Sequence, residues 1–333
     1  MKSSPLTLRR ALVTTVALTA VLAVVVYVAL AIGSEPVPGA NVIGALTGAD
    51  GIPDGDRMII MELRLPRILL AVIVGAGLSV AGLVFQALLR NPLAEPYILG
   101  ISSGGTVGAL LAMSLTAGAG LYVTPLASFA GSAAVMLLVY TLAHRRGRLD
   151  PYTLLLSGVM IGAFFNAAVL LIVAIINEEM RSAFLWLMGN LSAAHPATVG
   201  IVGPPVVVAS AVLLWLAKGF NLIATGEETA LQLGVNVPTL KKVSYILASF
   251  ITGLVVSVSG VVGFVGLIIP HICRMLFGPD HRLLVPASFL LGAIFLVGAD
   301  LLARTVIAPT EVPVGAVTAA IGAPVFVYLL KRT

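Results

Sequence analysis

The hydrophobic pattern of the chain is a series of long uncharged runs separated by short polar segments. A transmembrane helix needs about 20 apolar residues to cross about 30 Å of hydrocarbon. Runs of that order, the last of them slightly short, are Ala11–Ile32, Ile68–Leu89, Pro96–Ala143, Pro151–Asn177, Ser182–Ala217, Val243–Cys273, Val312–Leu330 and Leu283–Ala299. The pattern therefore predicts an all-α, polytopic membrane protein.

In three of these regions, the number of membrane crossings does not follow from length alone. Pro96–Ala143 is long enough for two crossings, with a break near Gly118–Pro125. Ser182–Ala217 is predicted to cross once, because Gly-Asn, His-Pro and Pro-Pro pairs interrupt its first half. Val243–Phe277 is predicted to cross twice, and a short helix near Leu267–Leu276 would make the return under the shelter of its neighbours. These choices give ten spans.

Basic residues fall mainly on one side of the predicted membrane. With a cytoplasmic N-terminus, thirteen of the 19 Lys and Arg residues are inside, namely Lys2, Arg9, Arg10, Arg90, Arg145, Arg146, Arg148, Lys218, Lys241, Lys242, Arg282, Lys331 and Arg332. Five are outside, namely Arg57, Arg64, Arg67, Arg181 and Arg304. The positive-inside rule then places both termini in the cytoplasm. An even number of spans follows, which ten satisfies.

Composition excludes several classes of protein. The chain of 333 residues is 59% hydrophobic and 10% charged, whereas soluble proteins carry about 25% charged residues. A soluble enzyme, a disordered chain and a nucleic-acid binder are therefore excluded. One cysteine, Cys273, allows neither an intramolecular disulfide nor a multi-cysteine metal site. The first apolar run is longer than the core of a signal peptide and is predicted to be an uncleaved span.

Spacing indicates an internal repeat. Gly82 precedes Pro92 by ten residues, and Gly260 precedes Pro270 by ten. The two segments run in opposite directions across the predicted membrane, so spans 2–5 and 7–10 are predicted to be inverted repeats, as in many transporters. Gly100, Gly104 and Gly108 form a stripe of small residues, which is typical of helix packing.

Few ionisable residues lie inside the spans, where such residues are functional candidates. Asp300 and Arg274 are two of them, and Arg304 lies one helical turn after Asp300. A satisfied ion pair at a helix end is the alternative interpretation of Asp300 and Arg304. His195 and His271 adjoin prolines and are interpreted as helix-break residues, and no metal site is predicted.

Two polar features suggest partners. Arg64 and Arg67 lie outside, where basic residues are unusual, and with Arg304 they would form an exposed cationic set for carboxylates on another protein. Contact with lipid headgroups is the alternative.

The second feature is the inside loop 218–242. It is predicted to hold a short helix capped by Thr225 and Glu228 and ended by Gly234, which would seat a soluble partner. The chain has no G-x-x-x-x-G-K-[ST] motif, so ATP would be hydrolysed by another subunit.

Five motifs in order resemble the FecCD-type permeases, the membrane subunits of type II ABC importers for ferric siderophores, haem and cobalamin. They are RLPR at Arg64–Arg67, QALLRNPLAEPYILGISSGG at Gln86–Gly105, GEETALQLGV at Gly226–Val235, GFVGLIIPHICR at Gly263–Arg274 and PVGAVTAAIGAPVFVYLLKR at Pro313–Arg332. The resemblance covers about residues 10–332 and implies a single permease domain over residues 1–333.

The resemblance implies an assembly and a location. The partners would be a second copy of the chain, two ABC ATPase subunits, a periplasmic or lipid-anchored substrate-binding protein and membrane lipid, with no nucleic acid. The chain would bind no cofactor, ATP would be used by the ATPase, and the location would be the bacterial inner membrane. The subunit would not itself be an enzyme.

The resemblance also implies roles for particular residues. Arg64, Arg67 and Arg304 would dock the binding protein. Residues of the coupling helix that contacts the ATPase would be Glu227, Glu228, Ala230, Leu233 and Gly234. The cytoplasmic gate would use Asn91 and Leu93, with Pro151 and Tyr152 at the start of the fifth span. The family often has small hydroxyl residues at this last position, which this chain lacks. The fifth and tenth spans would line the pathway.

The expected function is ATP-driven import of a metal chelate by alternating access, with ferric siderophore ranked first among the cargoes. The alternative is a secondary transporter driven by an ion gradient, against which the sequence offers no midplane carboxylate or histidine relay. A membrane-embedded enzyme is a third possibility, but no nucleophile–base or metal constellation supports it.

Overall fold

The computed structural model describes residues 7–115, 121–145, 148–175 and 180–331. The helices are α1 (Leu8–Ala31), α2 (Gly39–Thr47), α3 (Asp54–Met58), α4 (Leu65–Leu89), α5 (Ile101–Leu115), α6 (Val123–Ala143), α7 (Pro151–Ile175), α8 (Met180–Leu187), α9 (Pro196–Trp215), α10 (Ala217–Thr225), α11 (Glu227–Gln232), α12 (Val237–Ser259), α13 (Val265–Phe277), α14 (His281–Thr305) and α15 (Val314–Leu330). A π-helix (Ile59–Arg64) joins α3 to α4, and a 3₁₀ helix (Pro96–Leu99) precedes α5. A two-residue antiparallel ladder pairs β1 (His144–Arg145) with β2 (Arg148–Leu149).

Helix α4 is the central element and is buried along nearly its whole length. Glycines allow this because they let neighbouring backbones approach closely. A Cβ atom on Gly75 would lie 2.3 Å from the carbonyl oxygen of Gly292 in α14. A Cβ atom on Gly82 would lie 2.0 Å from the carbonyl oxygen of Gly266 in α13. The apolar core of the molecule therefore forms around α4, between α14, α13, α12 and α9.

The small-residue stripe before and within α5 packs against two helices. Gly104 and Gly108 lie against the backbone of α6, where Gly131 provides the matching gap. Gly100 has a positive φ of 72° and packs against Gly158 and Gly162 of α7. These positions are about two and three turns inside α7. The stripe is thus used for packing, and the segment before α5 lies beside the interior of α7 rather than at its end.

Seven helices of the described residues are long and apolar enough to cross a membrane: α1, the continuous helix over Asp54–Leu89, α6, α7, α9, α12 and α14. Three shorter apolar helices are Ile101–Leu115, Val265–Phe277 and Val314–Leu329. Pro96–Ala143 does contain two helices, although residues 116–120 of the predicted break lie outside the described residues. Ser182–Ala217 contains one long helix, α9, preceded by the separate short helix α8.

The predicted short return helix is present as α13 and is 13 residues long. An irregular segment, residues 260–264, separates it from α12, and it includes Gly260 at φ 66° and Phe264 at φ 68°. Gly82 and Pro92 occupy different settings from their predicted counterparts, since Gly82 lies inside α4 and Pro92 lies beyond its end, whereas Pro270 lies inside α13. The repeat therefore stays a prediction.

The helices share two ends, which we name the α11 end and the Arg67 end. At the α11 end, Arg10 at the start of α1 donates to the carbonyl oxygen of Phe277, at 3.0 Å. Asp280 caps α14 and accepts a hydrogen bond from Asn221 of α10 at 2.7 Å. Hydrogen bonds from Arg282 are the main cause of a pKa of Asp280 lowered to about 2, so this cap is ionised at neutral pH. At the Arg67 end, α4 begins and α14 finishes.

Candidate functional site

A cluster of charged side chains lies at the Arg67 end. Arg67 donates from Nε to Oδ1 of Asp300 at 2.9 Å, and its Nη1 lies 2.8 and 2.9 Å from the two carboxylate oxygens of Glu311. Arg304 Nε lies 3.1 Å from Oδ2 of Asp300, which is an ion-pair distance. The predicted pairing of Asp300 with Arg304 is therefore present, but Asp300 also pairs with Arg67, which precedes it by 233 residues in the sequence.

Two of the clustered arginines also hold the end of α1. Arg64 donates to the carbonyl oxygens of Leu30 and Ala31 at 2.6 and 3.1 Å, and to that of Glu35. Arg304 donates to the carbonyl oxygen of Ala29 at 3.3 Å. The last carbonyl groups of a helix have no partner within the helix and carry a partial negative charge. Positive side chains at this position therefore stabilise the end of α1.

The predicted exposure of these arginines is wrong. Arg64, Arg67 and Arg304 are 5%, 8% and 6% exposed. They line a cavity of about 200 Å³ together with Gly33, Ser34, Glu35, Ile59, Leu63 and Glu311. Buried arginines need partners to compensate for lost hydration, and the carboxylates and helix carbonyls supply them. The cluster opens to the surface at Glu311, whose side chain is 45% exposed.

The short helix predicted in loop 218–242 is present as α11 at the opposite end of the molecule. Its N-cap is Gly226, and the Thr225 hydroxyl donates back to the carbonyl oxygen of Leu222, so the predicted capping box of Thr225 with Glu228 is wrong. Gly234 follows the helix at φ 86°, as predicted for its end, and a Cβ atom there would meet nothing within 4 Å.

One face of α11 is anchored and the other is open. Ala230 is fully buried, whereas Leu231 and Leu233 are 44% and 62% exposed and Glu228 is also exposed. Glu227 anchors the helix by accepting a hydrogen bond from Nζ of Lys241 in α12 at 2.7 Å. Exposed leucines on a firmly anchored short helix form a surface suited to a protein partner.

Glu227 also connects α11 to the end of α4. Its Oε1 lies 3.2 Å from Nη2 of Arg90, the residue that ends α4 in a left-handed conformation with φ 49°. Asn91 follows directly, and its Oδ1 accepts the backbone N–H of Leu93 at 2.9 Å, which forms a tight turn. The ion pair between Glu227 and Arg90 thus connects the predicted coupling helix to the turn that carries Asn91 and Leu93.

The predicted gate residues lie at the surface of the single chain. Leu93 is 43% exposed and Tyr152 is 74% exposed. Pro151 begins α7, whose first turn is capped by Asp150, since Oδ2 of Asp150 accepts the N–H of Thr153 at 2.7 Å. The gating role of these residues therefore stays a prediction.

Sequence reasoning missed a polar junction between the 3₁₀ helix and the irregular segment 260–264. The Tyr97 hydroxyl donates to the carbonyl oxygen of Val262 at 2.7 Å and accepts its N–H at 2.8 Å. Glu95 Oε1 accepts the N–H of Phe264 at 2.6 Å. Irregular backbone within a helical bundle needs such partners, because no water replaces its hydrogen bonds there. The motif Gln86–Gly105 contains Glu95 and Tyr97 after Asn91, and these two polar side chains beside an apolar run were the signal that could have indicated the junction.

We expect Tyr97→Phe to destabilise the protein by about 1–3 kcal/mol, because both backbone groups of Val262 would be left without their partner. Thermal unfolding in detergent measures the change. Tyr122→Phe is the matched control, because Tyr122 is 44% exposed and loss of its hydroxyl leaves no buried group. Equal melting temperatures for the two variants would contradict a role for Tyr97 in holding the junction.

A second interior polar group links α4 to α13. Gln86 donates to the carbonyl oxygen of Leu267 at 3.2 Å and accepts from Nη2 of Arg274 at 3.1 Å.

His271 faces the ring of Phe326 in α15 and lies within α13. His195 is the N-cap of α9, where its Nδ1 accepts the N–H of Ala197. Across the described residues, no three His, Cys, Asp or Glu side chains are grouped to hold a metal ion.

Comparison with known proteins gives one family and several similar chains. A family model described as the FecCD transport family matches residues 21–332. The cobalamin import system permease protein of Halobacterium salinarum is 44% identical over 299 residues, which cover 90% of this chain and 80% of that protein. The hemin transport system permease protein of Yersinia pestis is 42% identical, covering 82% of this chain and 83% of that protein.

Two further comparisons cover almost the whole chain. The Fe(3+)-citrate import system permease protein of Bacillus subtilis is 35% identical over 99% of this chain and 98% of that protein. A solved structure of an ABC transporter of the metal-chelate type, in an inward-facing conformation, superposes with a TM-score of 0.85 at 32% identity. It covers 96% of this chain and 99% of that one.

Proposed function

Because the chain belongs to the FecCD transport family, we propose that it is the permease subunit of an ABC importer that carries a metal chelate through the membrane. Its relatives are permeases for cobalamin, hemin and Fe(3+)-citrate. We rank a ferric siderophore first among the cargoes. The subunit carries out no chemistry of its own, and a separate ATPase supplies the energy.

The anchored helix α11 is the observation that supports ATP-driven transport best. Leu231 and Leu233 are exposed while Ala230 is buried, so an ATPase subunit can bind the exposed face of the helix and move the helix as a rigid body. Through Glu227, such a movement reaches Arg90 and α12 together. In this mechanism, ATP binding closes the ATPase pair, α11 transmits the closure, and the turn at Asn91 shifts.

The α11 end faces the cytoplasm in this proposal. The start of α1 lies at this end, because Arg10 contacts Phe277. The last turn of α15 lies there too, because α15 begins near Ala303 at the Arg67 end and runs towards the α11 end. Arg90, Lys241 and Arg282 also lie there, in keeping with the positive-inside rule. We assign the ten predicted spans to the seven long helices and the three shorter apolar helices.

The pathway lies between two copies of the chain. Leu93 and Tyr152 form the cytoplasmic gate, with Asn91 and Pro151 holding their backbones. The exposed side chains of α7 and α15 face the second copy, where an apolar lining lets a chelate pass without tight binding. Alternating access then exchanges the openings at the two ends.

The Arg67 end receives a substrate-binding protein. A carboxylate on that protein enters the cavity at Arg67, while Arg64 and Arg304 add positive charge to its inner wall. Arg64 and Arg304 donate to backbone carbonyls of α1, whereas Arg67 contacts the exposed Glu311. Arg67 is therefore the residue through which docking is best tested.

The test is capture of the tagged permease from its native membranes in mild detergent, followed by reconstitution into vesicles with whatever subunits accompany it. An ATPase with a P-loop at equal stoichiometry, and uptake of a ferric chelate that requires ATP, support the proposal. Absence of an ATPase together with uptake that an ionophore abolishes would replace it with ion-driven transport.

A further inference from the structure

The two carboxylates that bind Arg67 differ in their surroundings. Asp300 contacts Nε of Arg67, and its side chain is 1% exposed. Glu311 contacts Nη1 with both oxygens, at 2.8 and 2.9 Å, and its side chain is 45% exposed. Asp300 is therefore a permanent counter-ion within the fold. Glu311 is able to leave, because water can hydrate its carboxylate as soon as it moves.

The site that Glu311 occupies is also the site open to a partner. Arg67 and Glu311 both line the cavity of about 200 Å³, large enough for an acidic side chain. The other two arginines donate to backbone carbonyls of α1. An incoming carboxylate that seeks a paired contact with a guanidinium therefore meets Glu311 already in place on Nη1.

We propose that Glu311 is an internal competitor for the docking partner, an acidic protein surface, and that docking exchanges the Glu311 carboxylate on Arg67 for a carboxylate of the partner. The inference rests on the proposed docking of a substrate-binding protein at the Arg67 end. The exchange keeps Arg67 doubly paired in both states, so docking does not have to desolvate a free arginine. It also keeps docking reversible, because Glu311 returns when the partner leaves.

The test compares Glu311→Gln with Glu62→Gln, each in the wild-type chain and in the Arg67→Gln chain. Glu62 is an exposed glutamate on the segment before α4, so its replacement controls for the general gain in attraction when negative charge is removed. The probes are the binding protein captured with the native complex and, independently, a short poly-L-glutamate peptide. Both are added to the outer face of the complete transporter in oriented vesicles.

We expect Glu311→Gln to lower the Kd for both probes about two- to fivefold, the range for loss of a competing ion pair at a half-exposed site. The change should exceed that of Glu62→Gln and disappear in the Arg67→Gln chain, as a double-mutant cycle requires. The proposal is overturned if the Kd of Glu311→Gln equals that of Glu62→Gln or is higher than that of the wild type. A Glu311 with only a structural role would give that result, because its removal would loosen the cavity without freeing Arg67 for the probe.

The two probes separate two kinds of failure. If no binding protein is captured, the proposed function loses its docking partner, while the peptide still reports whether Glu311 competes for Arg67. If the binding protein binds and Glu311→Gln leaves both Kd values unchanged, docking stands and the exchange is refuted.

Discussion

Gly234→Arg is expected to abolish ATP-dependent uptake while the protein still inserts and folds. Gly234 is exposed, and a side chain there would meet nothing within 4 Å. The fold therefore tolerates the added volume, and only the positive φ of 86° opposes it, at about 1–2 kcal/mol. A partner that binds against α11 would clash with the long charged side chain, and its contact with α11 would be lost. Uptake and ATPase activity in vesicles, with yield and melting temperature beside them, measure the result.

Gly278→Arg is a stringent control for that prediction. Gly278 has a φ of 89° and a ψ of −178°, a conformation that opposes a side chain at least as strongly as that of Gly234. It has open space around its Cβ position and lies at the same end of the molecule, in the turn between α13 and α14. Its variant should transport normally. If Gly234→Arg also transports normally, the coupling role of α11 is wrong. If both variants fail alike, backbone strain explains the loss.

Asp300→Asn is expected to destabilise the protein by about 3–5 kcal/mol, the usual result of leaving buried charges without their partner. Asp300 faces Arg67 and Arg304, which are 8% and 6% exposed. Its neutral amide leaves Arg67 with the carboxylate of Glu311 alone and removes the carboxylate that Arg304 faces. The expected signs are low yield in the membrane and a lower melting temperature in detergent.

Glu311→Gln gives the scale for that measurement. It removes a carboxylate from the same arginine at a position that is 45% exposed, where an ion pair contributes about 1 kcal/mol or less. Equal melting temperatures for the Asp300 and Glu311 variants would mean that water reaches Asp300, and the cluster would not be a buried charge network.

Local pattern was enough to predict the apolar helices but not always their bounds. Helix α12 begins at Val237, before the predicted Val243, because the charge of Lys241 is neutralised by Glu227 and Asn236 caps the helix. The helix leading into α4 begins at Asp54 rather than at Ile68. Hydropathy cannot detect such polar extensions, since it registers only the part of a helix that suits lipid.

Contacts between distant segments could not be predicted. Arg67 and Asp300 lie 233 residues apart, and Tyr97 and Val262 lie 165 apart. The predicted topology grouped Arg64, Arg67 and Arg304 on the outer side, yet their exposure was predicted wrongly, because burial depends on which carboxylates and carbonyls the fold brings to them. The short helix after Gly226 was predicted with the wrong cap, since two residues compete for that position and only the folded loop decides.

The way α1 is held has a consequence for biogenesis. Its start contacts the end of α13 through Arg10, its end is held by Arg304 of α14, and α14 is its main packing neighbour. During synthesis, α1 is made first, and these partners emerge about 270 residues later. A nascent chain interrupted before α14 would therefore hold the end of α1 through Arg64 but lack the main packing neighbour of that helix. The completed permease closes only when the last third of the chain has been inserted.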